Sequence, residues 1–209
     1  MQIEINGEKR EIGLREAWNY LTPDQWKAEA REAELSHFRN THRFCGICGT
    51  PTESASSISV RCPSCGTETF PALSPAVLVL VSRGDQALLV HARNFSRPMF
   101  GLVAGFVETG ETLEECVARE VREETTLTVG NIRYFASQSW PFPSQLMIAF
   151  TADWLEGEIR FADGELTDGG WFTADNLPLL PTMPSLARQL IDYWAGNYSA
   201  NRMNEIMEK

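Results

Sequence analysis

Three glutamates, Glu120, Glu123 and Glu124, sit at i, i+3 and i+4 in a stretch with helical patterning. On a helix they share one face. Like charges at that spacing cost roughly 0.2–0.5 kcal/mol per pair. They also lie toward the C-terminal end, where the helix dipole disfavours anions. A divalent cation bound among them would reverse both penalties, and hard oxygen ligands suit magnesium or manganese. The competing reading is a solvated face knitted by ion pairs, of which Glu115 and Arg119 offer a favourable i,i+4 example. Spacing alone leaves both open. Gly105 and Gly110 ahead of the helix let backbone approach a ligand closely, and phosphates favour such positions.

The second group able to do chemistry is sulfur. Cys45 and Cys48 form one CxxC pair, Cys62 and Cys65 another. Two such pairs at this separation point to zinc, one ion per chain. Redox-active CxxC motifs or disulfides are the alternative. Gly46, Gly49 and Gly66 are expected to supply the positive φ of the two knuckles. Four sulfurs leave no open coordination position, so this metal should hold structure. Cys116 stands alone in the acidic helix and is expected to pack as a small hydrophobe.

The elements that must position these groups follow from periodicity and punctuation. Residues 1–12 read as a short strand or a frayed end. Leu14 to Phe38 reads as helical segments interrupted at Thr22-Pro23-Asp24, with Thr22 as N-cap, Pro23 in the first turn and Gln25 at the third position. The polar stretch between the cysteine pairs reads as a hairpin arm. Ala76 to Ser82 is a continuous apolar run suited to a strand buried on both faces. A turn at Arg83-Gly84-Asp85 returns the chain as a second strand, Gln86 to His91. The acidic helix spans about Thr112 to Thr125, and further strands are expected at Ile132–Ser137, Leu146–Trp154 and Gly170–Phe172. A last helix runs from about Ser185 to Asn197, with Leu186, Leu190, Ile191 and Trp194 on one face. Alternating strands and helices imply α/β layers. His37, His42 and His91 show no ligand spacing and read as packing or surface residues.

Composition bounds the rest. The 209 residues are 43% hydrophobic and 22% charged, enough for a packed core and too apolar for general disorder. A net charge of −10 argues against non-specific coating of nucleic acid. No apolar run spans a bilayer, and the N-terminus lacks the pattern of a secretory signal. A soluble cytoplasmic protein is expected, with no membrane partner.

With these residues in view, the acidic stretch resembles the Nudix box, G-x5-E-x7-R-E-U-x-E-E-x-G-U with U apolar. Gly105, Glu111, Arg119, Glu120, Val121, Glu123, Glu124 and Leu127 match, while Thr126 stands in place of the closing glycine. A β-branched residue resists positive φ, so a differently shaped helix exit is expected. The resemblance implies an α/β fold, a Nudix α/β/α sandwich with a mixed sheet, preceded by a small zinc ribbon. It divides the chain into an N-terminal helical segment (1–40), the ribbon (41–70) and the Nudix domain (71–209).

The ribbon and the run Ser137-Gln-Ser-Trp140-Pro-Phe142-Pro-Ser-Gln145 are similar to those of the NADH pyrophosphatase family, a likeness covering roughly residues 33–197. Pro141 and Pro143 remove ladder donors, and Trp140 and Phe142 offer planar surfaces. Stacking of a ligand ring on such a surface is worth roughly 1–3 kcal/mol. A buried aromatic corner is the other reading. The resemblance implies that Glu120, Glu123, Glu124 and Glu165 are catalytic and hold magnesium or manganese, with Ala104 adding a backbone carbonyl. It implies substrate contacts at Phe106, Gln138, Ser139, Trp140, Pro141, Phe142, Pro143, Ser144, Gln145 and Ala187. Five positions depart from the family: Ser139 and Gln145 in the signature, Phe70 and Ala72 where the family carries Tyr and Arg, and Ser57 where an acid is expected. With about forty residues ahead of the ribbon, a shortened N-terminal region is expected in place of the larger N-terminal domain of longer members.

The implied reaction is hydrolysis of the diphosphate of NAD(H) to NMN(H) and AMP, and the resemblance extends to NAD-capped RNA 5′ ends. Another dinucleotide such as ADP-ribose or a diadenosine polyphosphate is the alternative substrate, and a nucleotide-sensing module is the non-catalytic one. The resemblance implies a homodimer.

Overall fold

In the computed structural model of the chain, the described residues are 2–5, 8–95, 97–161 and 164–207. The chain divides into two compact units, Met1–Ser74 with Ser139–Gln145, and Pro75–Gln138 with Leu146–Lys209.

The first unit opens with a hairpin in place of a single strand: Gln2–Ile5 (β1) pairs antiparallel with Glu8–Glu11 (β2). A one-turn helix, Leu14–Ala17 (α1), precedes the long helix Pro23–Thr41 (α2). The expected cap is in place. The Thr22 hydroxyl accepts the Gln25 N–H at 3.3 Å, and the Gln25 side-chain oxygen accepts the Thr22 N–H at 2.9 Å. Trp26 and Ala30 bury against Ile12 and Ala17, and the Trp26 indole donates to the Leu14 carbonyl at 2.9 Å. The ribbon follows as three antiparallel strands, Glu53–Ser56 (β3), Ser59–Arg61 (β4) and Glu68–Thr69 (β5).

In the second unit, which β6 (Ser74–Arg83) enters at Pro75, that strand turns at Gly84, φ 61°, into Gln86–Ala92 (β7). The Gly-containing segment that follows carries a short strand that periodicity does not announce, Val103–Phe106 (β8), antiparallel to β6. Helix Leu113–Thr125 (α3) bears the acids. Thr128–Trp140 (β9), Gln145–Glu156 (β10) and Leu166–Thr173 (β11) are each longer than expected, and the last helix, Leu186–Met207 (α4), runs well past Asn197. The six-stranded sheet is ordered β11-β7-β6-β10-β9, with β8 also pairing β6.

The apolar run of β6 is explained by its two faces. Side chains alternate along a strand. Val77, Val79 and Val81 join Cys116, Val117 and Val121 of α3, while Leu78 and Leu80 join Leu186, Leu190, Ile191 and Trp194 of α4. A helix lies against each face, which is the α/β/α sandwich.

The exit of α3 corrects one expectation. Thr126 itself takes the left-handed conformation, φ 62° and ψ 7°, as the helix C-cap. Its hydroxyl donates to the Glu158 carbonyl at 2.7 Å and its N–H to the Arg122 carbonyl, which offsets the steric cost at the β-branched carbon.

Candidate functional site

Arg119 gathers two acids of α3, Glu120 and Glu123, and one from the loop before it, Glu111. Local chemistry first decides which of its candidate partners is free. Thr112 caps the helix and Glu115 closes the capping box, its carboxylate accepting the Thr112 N–H at 2.8 Å. The expected Glu115–Arg119 pair is therefore not formed. Arg119 turns instead to Glu111 on the preceding loop, through Nε to Oε2 at 3.0 Å and Nη2 to Oε1 at 2.8 Å. Nη2 also donates to the Phe106 carbonyl at 3.0 Å. Nη1 donates to Glu120 Oε1 and to Glu123 Oε2, each at 2.9 Å. The Arg119 fork, reinforced by the Glu108 N–H, depresses the Glu111 carboxyl to about 2.

Gly105 explains the closeness of Glu120. It pairs with Val77 across β8 and β6, on the sheet face that packs against α3. A Cβ built at this position would stand 1.9 Å from the Glu120 carboxyl carbon, so only glycine leaves the carboxylate its place. Burial pushes the Glu120 carboxyl up, Arg119 opposes this, and the charges of Glu123 and Glu165 add to the rise. Glu124 is buried at 5% exposure. Glu165 is exposed, and its carbonyl accepts the Arg93 N–H at 2.8 Å. Asp163, two residues before it in sequence, lies outside the described residues. Ala104 and Phe106 alternate with Gly105, which places their side chains on the other face of the sheet. Phe106 is half exposed. Cys116 is fully buried, as expected of a small hydrophobe, and burial pushes its thiol up to about 12.

The four cysteines converge. Cys45 and Cys65 sulfurs are 3.6 Å apart, Cys48 and Cys62 3.5 Å, and all four lie within 4.8 Å of one another. A tetrahedron of Zn–S bonds near 2.3 Å has edges of about 3.8 Å, so the set fits zinc. Thr50 and Thr67 hydroxyls pair with Cys48 and Cys65 and pull those thiols down, toward the thiolates that zinc requires. Gly49 (φ 72°) and Gly66 (φ 76°) make the knuckle turns, whereas Gly46 does not adopt a positive φ, contrary to expectation.

The signature residues divide between the units. In the first unit β9 ends at Trp140, residues 141–144 turn, and Trp140 and Phe142 meet edge to face at 5.0 Å. Pro141 is buried and Pro143 exposed, and the backbone carbonyl of Ser144 accepts the Ser74 N–H at 3.0 Å. Ser139, a departure from the family, donates to Glu34 at 2.9 Å, a bond that proline lacks. Gln145 opens β10. Phe70, Ala72 and Ser144 share a cleft of about 360 Å³ with Leu35, Phe38 and Ile58, so two departing positions line one cavity, while Ser57 is exposed. In the second unit, Gln138 donates to the Pro184 carbonyl at 2.8 Å, and Ala187 packs against the α4 cluster.

Sequence reasoning passed over Arg15. Its guanidinium lies 3.9 Å from the Phe142 ring centre and 5.1 Å from that of Trp140, with no carboxylate partner among the described residues. Its only signal was an arginine in a one-turn helix, which means nothing until the turn at 141–144 folds back on it.

A helix bearing three acids against a glycine-bearing strand, on an α/β/α sandwich, is the arrangement expected of the Nudix class. Family models agree: the NUDIX domain matches residues 72–194 and the NADH pyrophosphatase zinc ribbon domain residues 40–70. The chain belongs to the Nudix hydrolase family and carries that zinc ribbon. It is 50% identical over 181 residues to the NAD-capped RNA hydrolase NudC of Chromobacterium violaceum, covering 86% of this chain and 68% of that protein. To the protein of the same name from Stutzerimonas stutzeri it is 42% identical over 183 residues, covering 87% and 66%. The chain thus spans about two thirds of the length of these curated relatives. A Nudix hydrolase structure from Nitrosomonas europaea superposes with a TM-score of 0.57 at 27% identity, covering 65% of this chain and 80% of that one. Among the described residues no helix is long and apolar enough to cross a membrane.

Proposed function

We propose that this chain hydrolyses the diphosphate bond of NAD(H), releasing NMN(H) and AMP, and that NAD-capped RNA 5′ ends are substrates of the same site. The observation that carries the reading is that three of the four box acids, Glu111, Glu120 and Glu123, are gathered by one arginine beside Gly105, with the fourth, Glu124, buried on the same helix. A sensor would not need every acid. Two relatives at 50% and 42% identity are named NAD-capped RNA hydrolases, which supports this choice of substrate.

The donor chemistry fits a hard cation. Glu120 and Glu123 already share a positive group at 2.9 Å, and the space at Gly105 is kept for a carboxylate. Glu120, Glu123, Glu124, Glu165 and the Ala104 carbonyl would hold magnesium or manganese. Bound there, the ion would neutralise phosphate charge and lower the pKa of the attacking water. Glu124 or Glu165 takes the proton from that water. Its oxygen bonds to one phosphorus of the bridge, the bond from that phosphorus to the bridging oxygen breaks, and the bridging oxygen leaves with the other phosphate. Trp140 and Phe142 offer ring faces to the nucleotide, and Gln138, Ser139, Pro141, Pro143, Ser144, Gln145, Phe106 and Ala187 complete the proposed substrate contacts. The resemblance further supports a homodimer, which size-exclusion chromatography would report as twice the 23.4 kDa chain mass.

The deciding experiment is chromatography of products from NADH, NAD, ADP-ribose, diadenosine polyphosphates and NAD-capped RNA with magnesium or manganese. AMP with NMN(H), at highest efficiency from NAD(H) or the capped RNA, is expected. Cleavage confined to ADP-ribose or diadenosine compounds transfers the assignment to those dinucleotides, and binding without cleavage defeats it.

A further inference from the structure

A guanidinium has five N–H donors in a fixed fork. In Arg119 all five are committed, and they divide by edge. One edge, Nε and Nη2, is held by the two Glu111 oxygens at 3.0 and 2.8 Å, with the Phe106 carbonyl at 3.0 Å. At the other, the two Nη1 hydrogens go to Glu120 Oε1 and Glu123 Oε2, both at 2.9 Å. Those two oxygens belong to acids that would serve as ion ligands. We propose that Arg119 is an internal counter-cation, whose Nη1 holds Glu120 and Glu123 until a divalent ion takes its place, while Glu111 keeps the guanidinium tethered beside the site. The inference rests on the reading of these acids as cation holders.

The geometry gives each partner a distinct task. Without a positive group, Glu120 and Glu123 would repel one another on a single helix face. Arg119 stills that repulsion with no metal bound, so the helix folds before any ion arrives. The same bonds set a threshold, because an ion must outcompete Nη1 for both oxygens. Glu111 limits that competition. Its bidentate grip draws the charge toward the loop, and the Phe106 carbonyl fixes the plane of the fork. Glu111 and Arg119 are thus positioning residues, and their substitution should move metal affinity in opposite directions.

The test is magnesium titration of the full chain with 15N-labelled arginine, followed by NMR. The Arg119 Nη1 signals are expected to shift in step with the α3 backbone amides, while the Nε–H signal, anchored on Glu111, holds its position. Saturating shifts in the α3 amides with unmoved Arg119 η signals would overturn the inference and leave the cation site standing. No response anywhere would remove the cation site and the inference together. Manganese binding read by electron paramagnetic resonance gives a second measure. Glu111→Gln should weaken it about tenfold and Arg119→Gln strengthen it about tenfold. A merely structural role would weaken both. Should Arg119→Gln fail to fold around an orphaned Glu111, the double variant Glu111→Gln/Arg119→Gln leaves no such charge. It should bind manganese more tightly than the parent, and equal or weaker binding would overturn the proposal.

Discussion

The Glu120 carboxylate occupies the space that any side chain at residue 105 would need, within 1.9–2.2 Å of where a Cβ would stand. Strand β8 and helix α3 therefore meet through a missing methyl group. Gly105→Ala should displace Glu120, whose flexible end can move away, so thermal stability should change little. A displacement of about 1 Å at a reacting group can cost on the order of 100-fold in rate. Turnover of NADH is expected to fall by about that factor, and an unchanged rate would show that Glu120 is not needed where it lies.

Glu124 is the buried acid of the three. Glu124→Gln keeps its shape and should lower turnover by about 10²–10⁴ while the circular dichroism spectrum stays as in the parent. Near-normal turnover would take Glu124 out of the catalytic set and leave Glu165 to be tested by the same change.

Thr126 separates strain from bonding at a helix end. Thr126→Ala keeps the left-handed backbone and loses the bond to Glu158, so urea unfolding should report a loss of about 1 kcal/mol. Thr126→Gly loses the same bond but relieves the backbone, and should fall within about 0.5 kcal/mol of the parent. Equal losses in the two variants would mean that the backbone stores nothing there.

How much of this could be read beforehand depends on distance along the chain. The Thr22–Gln25 cap was legible because its four residues contain the whole interaction. The run of β6 was legible because burial on two faces leaves no polar position. Arg119 was misread because Glu111, which outcompetes Glu115 for it, arrives through a loop return that helical spacing does not describe. Strand β8 was missed because four residues with a glycine carry no period, and its register with β6 is what makes it a strand. Residues Ser139–Gln145 belong to the first unit, although they comprise the end of β9, the turn after it and the first residue of β10, and nothing in their composition announces it.

Cys62 is almost fully enclosed, at 1% exposure. Cys62→Ser should remove the zinc, read as loss of metal released to a chromogenic chelator, and the ribbon strands should melt with it. Structural zinc contributes on the order of 10–16 kcal/mol in isolated modules, far above what three short strands recover alone. A zinc-free variant with native ribbon amide protection would contradict this.

Arg15 brings a cation, with no carboxylate partner among the described residues, to the aromatic pair of the signature turn. If those rings take a phosphate-bearing ligand, Arg15→Ala should raise KM for NADH about tenfold and leave kcat nearly unchanged. A lowered KM would instead identify Arg15 as an obstruction that substrate must push aside. Phe142→Ala serves as the control, since an unaltered KM there would remove the rings themselves from recognition.

Alternate residues of β6 answer to different helices. A substitution at Leu80 is felt beneath α4 and one at Val79 beneath α3, although the two are adjacent in sequence. The strand acts as a partition, across which one side can be repacked while the bed of the acid-bearing helix stays as it was. Variation on the α4 side can thus accumulate without moving the seat of the acid-bearing helix, provided that it spares Ala187 and Phe106.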